Sequence, residues 1–594
     1  MKINPKSQKG AITLIVLVTM LFLIAFLMSM YIRISNKAQT SAETTEEIAK
    51  KYNNIEEAND IYNSYFANSD VIPIYTVEQL KKIGSGEKIE VNGKIYTFTT
   101  NGYYTLMNDL DLGGYYDETN ETWTGTQWEP LPLSNSNGTQ YEFIGTLDGL
   151  GHEIRGLYIE DTDSSTGSYK GLFSTTNVNT VIKNLGIVDS YVKGYSFVGS
   201  IAGKNDGTIE KCYSKCTTIA TWKNVGGIIG SNSSNATIDK CYSQGEVKLL
   251  TGATTYGEIG GIVGTNGGSI LNSYNYATIT NENSYDTGGI VGNNAAKGVI
   301  NYCYNTGKII GFKNYLGGIV GLNSGLVENS YNSANITNSV PYSAGIAGSS
   351  KGTIQDCYNT GDIENNQYTA GICGSNNGTI ILCNNSGKIT GKNVTSGGIV
   401  ASNTGTIEKC YNEGYVLGKN ANVGGITGVS SGIVKECFNK GIISSRVYRI
   451  GGIVGENRSS VINCYNMGDI EGGGTDLGGI VGYNIYETGT PNVSNCYSTG
   501  TITGGKTKVG ALIGSNGSTS TVSKCYALTD THTSLIGTDS GTTTDIKFKL
   551  ETEMKAIDGS FIALLNQGLD PTVWIEDSDS VFNEGYPIFT WQSE

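Results

Sequence analysis

The chain has 594 residues, of which 82 are Gly, 37 are Tyr and 8 are Pro, and its formal net charge is −14. High Gly content with so little Pro argues against collagen and against Pro/Ser linkers, and the acidic balance argues against nucleic acid as a partner. Two histidines, His152 and His532, leave little basis for a His-rich metal site or for His-dependent acid–base catalysis.

The N-terminus carries the features of a membrane anchor. Residues 1–10 form a basic leader with three lysines, and residues 11–32 are uncharged. Such a segment spans about 33 Å as a helix, which is enough to cross a bilayer. The pattern predicts a retained single-pass transmembrane helix, followed by an amphipathic helical stalk over 33–69. The leading lysines favour a cytoplasmic N-terminus, so the bulk of the chain is expected at the cell surface.

The same segment resembles the type IV pilin signal, because its basic leader ends in Gly10 and an apolar stretch begins at Ala11. The resemblance implies cleavage between Gly10 and Ala11 and packing of the helix among pilin subunits. Two positions depart from that family, which usually has Phe or Met at the first mature residue and Glu where Ile15 stands. An ordinary signal anchor is the alternative interpretation.

Residues 70–195 are predicted to form an N-terminal capping segment and the first, irregular coils of a repeat structure. A short helix is expected to begin at Thr76, and Gly171-Leu172-Phe173 reads as the first repeat. A C-terminal cap is predicted over 527–594, with an amphipathic helix at 551–566. Caps are expected because the open ends of a stack of coils expose both the core and unpaired strand edges.

A repeat fills residues 196–526. Each copy reads Gly-Gly-Ile-Val-Gly, a polar turn, Gly-x-Ile-x-x-Cys-Tyr-Asn and Gly-x-Ile, and the copies advance by 26 or 27 residues between Ile319 and Ile480. Three short β-branched segments per copy cannot bury a core alone, but stacked copies align like residues in columns about 4.8 Å apart. The sequence therefore predicts an all-β fold, a right-handed parallel β-helix of about 12 coils.

The repeat resembles the GLUG-motif family, as in Gly288 to Gly292 and in Gly405 to Asn412. The resemblance covers residues 196–526. It implies a β-solenoid of a secreted or surface-attached bacterial protein with an adhesive or structural role, and it implies no defined reaction.

Ten of the twelve cysteines occupy one repeat-equivalent position, where Ser273 and Ser330 replace Cys twice. In-register strands hold neighbouring Cβ atoms about 4.8 Å apart, whereas a disulfide needs roughly 3.8 Å. These thiols are therefore predicted to form a buried column, not disulfides or a metal site. Cys216 and Cys373 fall outside the column, and their role stays open.

The residue after each of these cysteines is usually tyrosine. An outward-facing column could bind sugars or a partner surface, whereas an inward-facing column would belong to the core. Two polar residues separate the Ile from the Cys, so simple strand alternation does not assign the direction in which the tyrosines point. A possible aromatic binding ladder consists of Tyr304, Tyr331, Tyr358, Tyr411, Tyr465 and Tyr497.

The sequence favours a non-enzymatic surface protein. Carbohydrate-processing β-helices need clustered carboxylates on one face, and the acidic residues here are scattered among the repeats. No catalytic residue, metal ligand or cofactor is assigned. The expected function is a membrane-anchored adhesin-like or structural solenoid that contacts a glycan or a host or neighbour-cell protein. A minor-pilin-like filament component is the alternative, and a carbohydrate-processing enzyme comes third.

Overall fold

The computed structural model describes residues 70–132, 142–250, 257–282, 285–420, 422–485 and 489–593. The chain forms a β-solenoid in which almost every strand pairs in parallel with its equivalent one coil away. A continuous apolar core runs from Ile72 to Ala527. The strands form five columns, numbered here in the order in which the chain passes through a coil.

Column 1 is a 14-stranded parallel sheet. Its strands are Phe173–Thr175, Ala202–Asn205, Ile229–Asn232, Val263–Asn266, Val291–Asn294, Val320–Asn323, Ala347–Ser350, Cys373–Asn376, Val400–Asn403, Thr427–Ser430, Val454–Asn457, Val481–Asn484, Ile513–Asn516 and Ile536–Asp539. The motif predicts about 12 coils, and these correspond to the middle twelve strands of column 1. The first and last strands pair in the same register without the full Gly-Gly motif.

Columns 2 and 3 hold the Ile-x-x-Cys-Tyr-Asn region of each copy. The column 2 strands are Val71–Ile74, Tyr103–Leu106, Thr146–Asp148, Val181–Lys183, Thr208–Glu210, Thr237–Asp239, Ser269–Leu271, Val299–Asn301, Leu326–Glu328, Thr353–Gln355, Thr379–Ile381, Thr406–Glu408, Ile433–Lys435, Ser460–Ile462 and Asn492–Ser494. The column 3 strands are Leu110–Asp111, Glu153–Arg155, Tyr274–Asn275, Tyr304–Asn305, Tyr331–Asn332, Tyr358–Asn359, Asn384–Asn385, Tyr411–Asn412, Phe438–Asn439, Tyr465–Asn466 and Tyr497–Ser498.

Columns 4 and 5 complete the coil. The column 4 strands are Tyr158–Asp161, Thr278–Asn281, Ile309–Gly311, Ile336–Thr337, Ile363–Asn365, Ile389–Gly391, Val416–Gly418, Ile443–Ser445, Ile470–Gly472 and Ile502–Gly504. The column 5 strands are Ser168–Lys170, Glu258–Gly260, Asp286–Gly288, Tyr315–Gly317, Tyr342–Ala344, Tyr368–Ala370, Ser396–Gly397, Val423–Gly424, Tyr448–Gly451, Thr475–Gly478 and Thr507–Gly510. Longer strands run through several columns at Gly186–Val198, Tyr213–Gly226, Tyr242–Leu249, Thr521–Leu528 and Thr542–Lys549.

A left-handed residue between columns 2 and 3 decides which side chains face the core. The residue before the cysteine position has a positive φ in each repeat, for example +49° at Asp356 and +52° at Lys409. This corner turns the chain so that the preceding Ile and the following Cys are both buried, as Ile354 and Cys357 are. Strand alternation then places the tyrosine outside and the next asparagine inside. The corner explains why simple alternation in the sequence could not assign the tyrosine face.

Buried asparagines link successive coils through their side-chain amides. In column 3, the Nδ2 of Asn359 donates to Oδ1 of Asn385 at 2.8 Å, and Asn385 donates in the same way to Asn412. A second ladder runs through column 1, where Asn266 donates to Asn294 and Asn294 to Asn323. Because each amide also bonds to backbone of its own coil, these polar groups are buried without losing their hydrogen bonds.

All twelve cysteines are buried and free. In the repeat column, each thiol donates to a nearby carbonyl, as Cys410 does to Glu408 at 3.1 Å. The two serines fit the same column because their hydroxyls accept from the preceding coil, as Ser330 does from the Cys303 amide at 3.0 Å. Cys216 and Cys373 are buried core residues of their own strands. The predicted burial of the cysteine column is confirmed.

Close approach of neighbouring coils requires glycine at the corner between columns 5 and 1. A Cβ atom placed on Gly398 would lie 2.1 Å from the carbonyl oxygen of Gly425 in the next coil. No side chain fits at that distance, so the repeated Gly-Gly pair is a packing requirement of the stack.

Helices lie at the two ends of the described solenoid. The predicted N-terminal capping helix spans Val77–Lys81, with Thr76 accepting the Gln79 amide in a capping box. At the other end, one helix was expected over 551–566, but two short helices form, Glu551–Met554 and Ser560–Asn566. Gly559, at φ +72°, separates them. A short 3₁₀ helix, Thr590–Gln592, closes the chain.

Three antiparallel hairpins complete the described structure. They pair Lys88–Val91 with Lys94–Thr97, Tyr115–Asp117 with Thr122–Thr124, and Trp574–Ile575 with Ile588–Phe589.

Within the described ranges, the structure has no helix with the length and apolar character that a membrane crossing needs. The predicted leader (1–10), transmembrane helix (11–32) and stalk (33–69) lie outside the described residues. The right hand of the coil stays a prediction, supported by the strong right-handed preference of parallel crossover connections.

Candidate binding surface

The tyrosines of column 3 form a single outward-facing file, which we call the tyrosine ladder. Each is the first residue of its column 3 segment and pairs directly with the same position of the next coil, as Tyr304 does with Tyr331 and Tyr331 with Tyr358. From N- to C-terminus the ladder consists of Tyr213, Tyr242, Tyr274, Tyr304, Tyr331, Tyr358, Asn384, Tyr411, Phe438, Tyr465, Tyr497 and Tyr526.

The rings of the ladder stack face to face along the solenoid axis. The centroids of Tyr304 and Tyr331 are 5.0 Å apart, and those of Tyr331 and Tyr358 are 4.8 Å apart, with planes within 10° of parallel. This spacing equals the separation of neighbouring strands. Because each ring face is covered by the next ring, the ladder presents its ring edges and hydroxyl groups to the outside.

Exposure varies along the ladder, and Tyr213 and Tyr274 in its N-terminal part are buried. Tyr304, Tyr331, Tyr358 and Tyr411 are half-buried and reach the surface, and we call them the open ladder. Tyr465 and Tyr497 are fully buried. The open ladder therefore keeps four of the six tyrosines of the predicted binding ladder, and the other two cannot contact a ligand in this state.

The C-terminal part of the ladder is covered by an aromatic cap formed by residues 551–593. Phe561 packs edge-on against Tyr526, with centroids 5.3 Å apart and planes at 78°. Phe589 packs against Tyr465 at 5.3 Å. This aromatic cluster is separate from the solenoid core and includes Phe438 of the ladder itself.

Hydrogen bonds fix the cap on the two buried tyrosines. The hydroxyl of Tyr497 donates to the carbonyl of Pro587 at 2.5 Å and accepts from Asn583 Nδ2 at 2.7 Å. Gln592 Nε2 donates to the hydroxyl of Tyr465 at 3.0 Å. Burial raises the pKa of both phenols well above its usual value, so they stay neutral.

The open ladder is interrupted at Asn384, which stands between Tyr358 and Tyr411 in the same register. One ring is therefore missing from the stack at this coil, and the facing sides of these two tyrosines lack an aromatic neighbour there. Burial is the main reason that the pKa of Tyr411 is raised to about 12. Its hydroxyl can thus donate and accept hydrogen bonds near neutral pH.

A concave site separate from the tyrosine ladder lies at the N-terminal coils and was not identified from the sequence. An open cleft of about 420 Å³ is lined by Tyr115, Tyr116 and Trp123 of a hairpin and by Asp111, Arg155 and Lys215 of the coils. Tyr115 is 58% exposed. The clustering of three aromatic residues at 115, 116 and 123 was the available signal, but only the fold brings them against Lys215.

In the part of the chain that the structure describes, no group of three or more His, Cys, Asp or Glu side chains is placed to hold a metal ion. His152 contacts Asp109 at 3.2 Å, and its hydrogen bond is the largest cause of the lowered pKa of that carboxyl. This pair joins two of the first coils.

Comparison with known proteins supports the repeat assignment. Residues 473–503 match the GLUG motif family. Halomucin of Haloquadratum walsbyi is 33% identical over 141 residues, which is 24% of this chain and 1% of halomucin. A Gly-rich membrane protein of Evansella cellulosilytica is 32% identical over 111 residues, which is 18% of this chain and 11% of that protein. The matches thus span a small part of either relative.

One solved structure, named for an immunoglobulin A1 protease of Bacteroides ovatus, aligns over 87% of this chain and 92% of its own. Its sequence identity is 16% and its TM-score is 0.21.

The residues that match the GLUG motif, 473–503, lie within the stack of equivalent coils. The chain is therefore a β-solenoid protein that carries the GLUG motif.

Proposed function

We propose that this chain is a membrane-anchored, surface-displayed solenoid with an adhesive or structural role and no enzymatic activity. The apolar segment at 11–32 supplies the anchor, and the solenoid stands outside the cell. One relative is named a membrane protein and another halomucin, which agrees with a surface role. The observation that carries the proposal is the open ladder, a file of half-exposed tyrosines with one gap at Asn384.

The open ladder suits a polypeptide partner better than a sugar. Sugars bind aromatic residues through exposed ring faces, but here most faces are covered by the neighbouring rings. The aromatic cap illustrates the mode that remains, since Phe561 and Trp574 pack at steep angles against the ladder. Steep packing of this kind is favourable for aromatic pairs. We propose that an aromatic-rich segment of a host or neighbour-cell protein packs on the open ladder in this way.

The test is binding of the full-length chain, purified in detergent, to arrays of surface proteins and of glycans. Replacing Tyr331 and Tyr358 together by alanine should reduce protein binding at least about tenfold, as expected for a loss of two aromatic contacts. Tyr342→Ala is the matched control, because Tyr342 belongs to a separate stacked run in column 5. Glycan binding that survives the double substitution, or equal loss in the control, would contradict the proposal.

A pilin-like role is the second candidate, favoured by the basic leader that ends at Gly10 before the apolar stretch from Ala11. In this case the mature chain would begin at Ala11 and its helix would pack among pilin subunits. Mass spectrometry of the N-terminus of the protein from its native membrane decides between the two. A mature start at Ala11 supports the filament, whereas an intact leader with membrane retention supports the simple anchor.

A further inference from the structure

Two carboxylates lie side by side on the outer face of column 5. Glu258 and Asp286 are direct partners in the parallel register of adjacent coils. Asn224, in the coil before, precedes the pair Val225–Ile259 and so lies next to Glu258 on the same face. Asp286 is 8% exposed and Asn224 is 7% exposed. Three oxygen-bearing side chains therefore belong to successive coils on this face, whose strands lie about 4.8 Å apart.

These two carboxylates are compensated less than the buried carboxylates of Glu456 and Asp148. Glu456 contacts Arg449 and Arg458, and Asp148 lies 3.2 Å from Lys183 Nζ. By contrast, Oε2 of Glu258 is buried without a hydrogen-bond partner.

The charges that face this pair do not cancel it. The positive charge of Lys223 favours the ionised form of Glu258, but the Nζ of Lys223 lies over the Trp222 ring, 4.3 Å from its centroid. Lys223 acts on Glu258, whereas the main influences on Asp286 are its burial and the charge of Glu258.

The amide of Asn224 supplies a second, independent indication of a ligand. Its Nδ2 donates to the Thr265 hydroxyl at 3.0 Å, while its Oδ1 is buried with no hydrogen-bond partner. A buried carbonyl oxygen without a donor costs free energy. The unpartnered Asn224 Oδ1 and Glu258 Oε2 belong to neighbouring coils on one face, where a cation would satisfy both.

The oxygen chemistry and the spacing fit calcium. Calcium prefers carboxylate and amide oxygens at about 2.3–2.6 Å, in flexible coordination completed by water. Two such distances in line span about 4.8 Å, comparable with the backbone spacing of adjacent coils. Magnesium demands a smaller and stricter octahedron, and zinc prefers nitrogen and sulfur ligands.

We propose that Glu258, Asp286 and Asn224 form a calcium site that joins three successive coils on the outer face of column 5. The ion neutralises the carboxylate pair and satisfies the amide oxygen. It acts as a clip that stabilises the N-terminal half of the solenoid, and it is independent of the function proposed for the open ladder.

The experiment is calorimetric titration of the full-length chain, stripped with EDTA and held in detergent, with calcium chloride and separately with magnesium chloride. One calcium ion should bind per chain and raise the thermal unfolding temperature, because a ligand of the folded state stabilises it. Asp286→Asn and Glu258→Gln should each weaken calcium binding at least about tenfold. Glu328→Gln, a glutamate of column 2, should leave binding unchanged.

Asn224→Asp is the complementary variant. It adds a carboxylate, so calcium binding should become tighter, and this test does not rely on loss of binding. Circular dichroism establishes that each variant is folded. Absence of calcium binding by the parent chain would overturn the proposal, as would equal affinities in the parent and both weakened variants. If those variants are more stable than the parent and calcium has no effect on it, the pair shares a proton instead, which also overturns the proposal.

Discussion

Trp574 lies 5.5 Å from Tyr497, measured between ring centroids, with the two planes at 51°. Both residues are fully buried. The contact joins the aromatic cap to a coil that precedes it by more than seventy residues in the sequence. It covers part of the tyrosine ladder, whereas the four tyrosines of the open ladder stay half-buried.

Removing Trp574 should detach the aromatic cap. Trp574→Ala deletes a large buried side chain and is expected to cost about 3–5 kcal/mol of docking free energy. The measurement is limited proteolysis, in which residues beyond 550 should be cleaved much faster than in the parent chain. Trp222→Ala is the control, because Trp222 is half-buried on the outer wall, stacked against Tyr195. Equal protease resistance of the Trp574 variant and the parent would contradict the interpretation of the cap.

Two adjacent asparagines should respond very differently to substitution. Asn385→Ala removes an inward amide that accepts from Asn359 and donates to Asn412, so each buried partner left unsatisfied should cost about 1–3 kcal/mol. Asn384→Ala alters the outward position beside it and should change stability by less than about 0.5 kcal/mol. Shifts in the guanidinium unfolding midpoint measure both. Similar shifts would show that the amide ladder does not stabilise the stack.

Filling the gap in the ladder should stabilise the solenoid. Asn384→Tyr inserts a ring between Tyr358 and Tyr411, and each stacked pair is worth about 0.5–1.5 kcal/mol beyond area burial. The thermal unfolding temperature should rise. Asn377→Tyr places the same ring at an exposed turn and should not raise it. A lowered temperature for the Asn384 variant would mean that a ring does not fit at this coil.

The buried thiols should be unreactive in the folded protein. Burial raises the pKa of Cys216, Cys303 and Cys373 to about 12, so little thiolate forms at pH 8. For an acid whose folded pKa is raised, stability is fully present below the unfolded pKa and is lost as pH rises through the folded pKa. We therefore expect little loss from these thiols below about pH 8, and a decline that sets in near the unfolded thiol pKa of about 8.5 and continues toward pH 12.

Iodoacetamide labelling followed by mass spectrometry checks the accessibility of the thiols. Without denaturant the twelve cysteines should stay unmodified, and in guanidinium they should all react. Rapid labelling of cysteines of the repeat column in the folded chain would contradict their burial.

The repeat sequence determined the architecture of the solenoid. Ile or Val three residues before each cysteine position, together with the Gly-Gly pairs, fixes which residues stack, because a one-coil translation brings like side chains together. The burial of the cysteine column and the short N-terminal helix after Thr76 followed from the same local pattern. These features depend on neighbours within one coil or the next, and such neighbours recur in every copy.

Only the tertiary structure decided what the outer surface presents. The tyrosine face depends on a left-handed corner residue, and Asp356, Leu382 and Lys409 all adopt it although they share no side-chain signature. Residues from a distant part of the chain cover Tyr465 and Tyr497, so their exposure is not a local property. Glu258 and Asp286 meet because the coil brings them into register across 28 residues of chain. Burial and charge proximity are properties of the stacked coils, and no single repeat contains them.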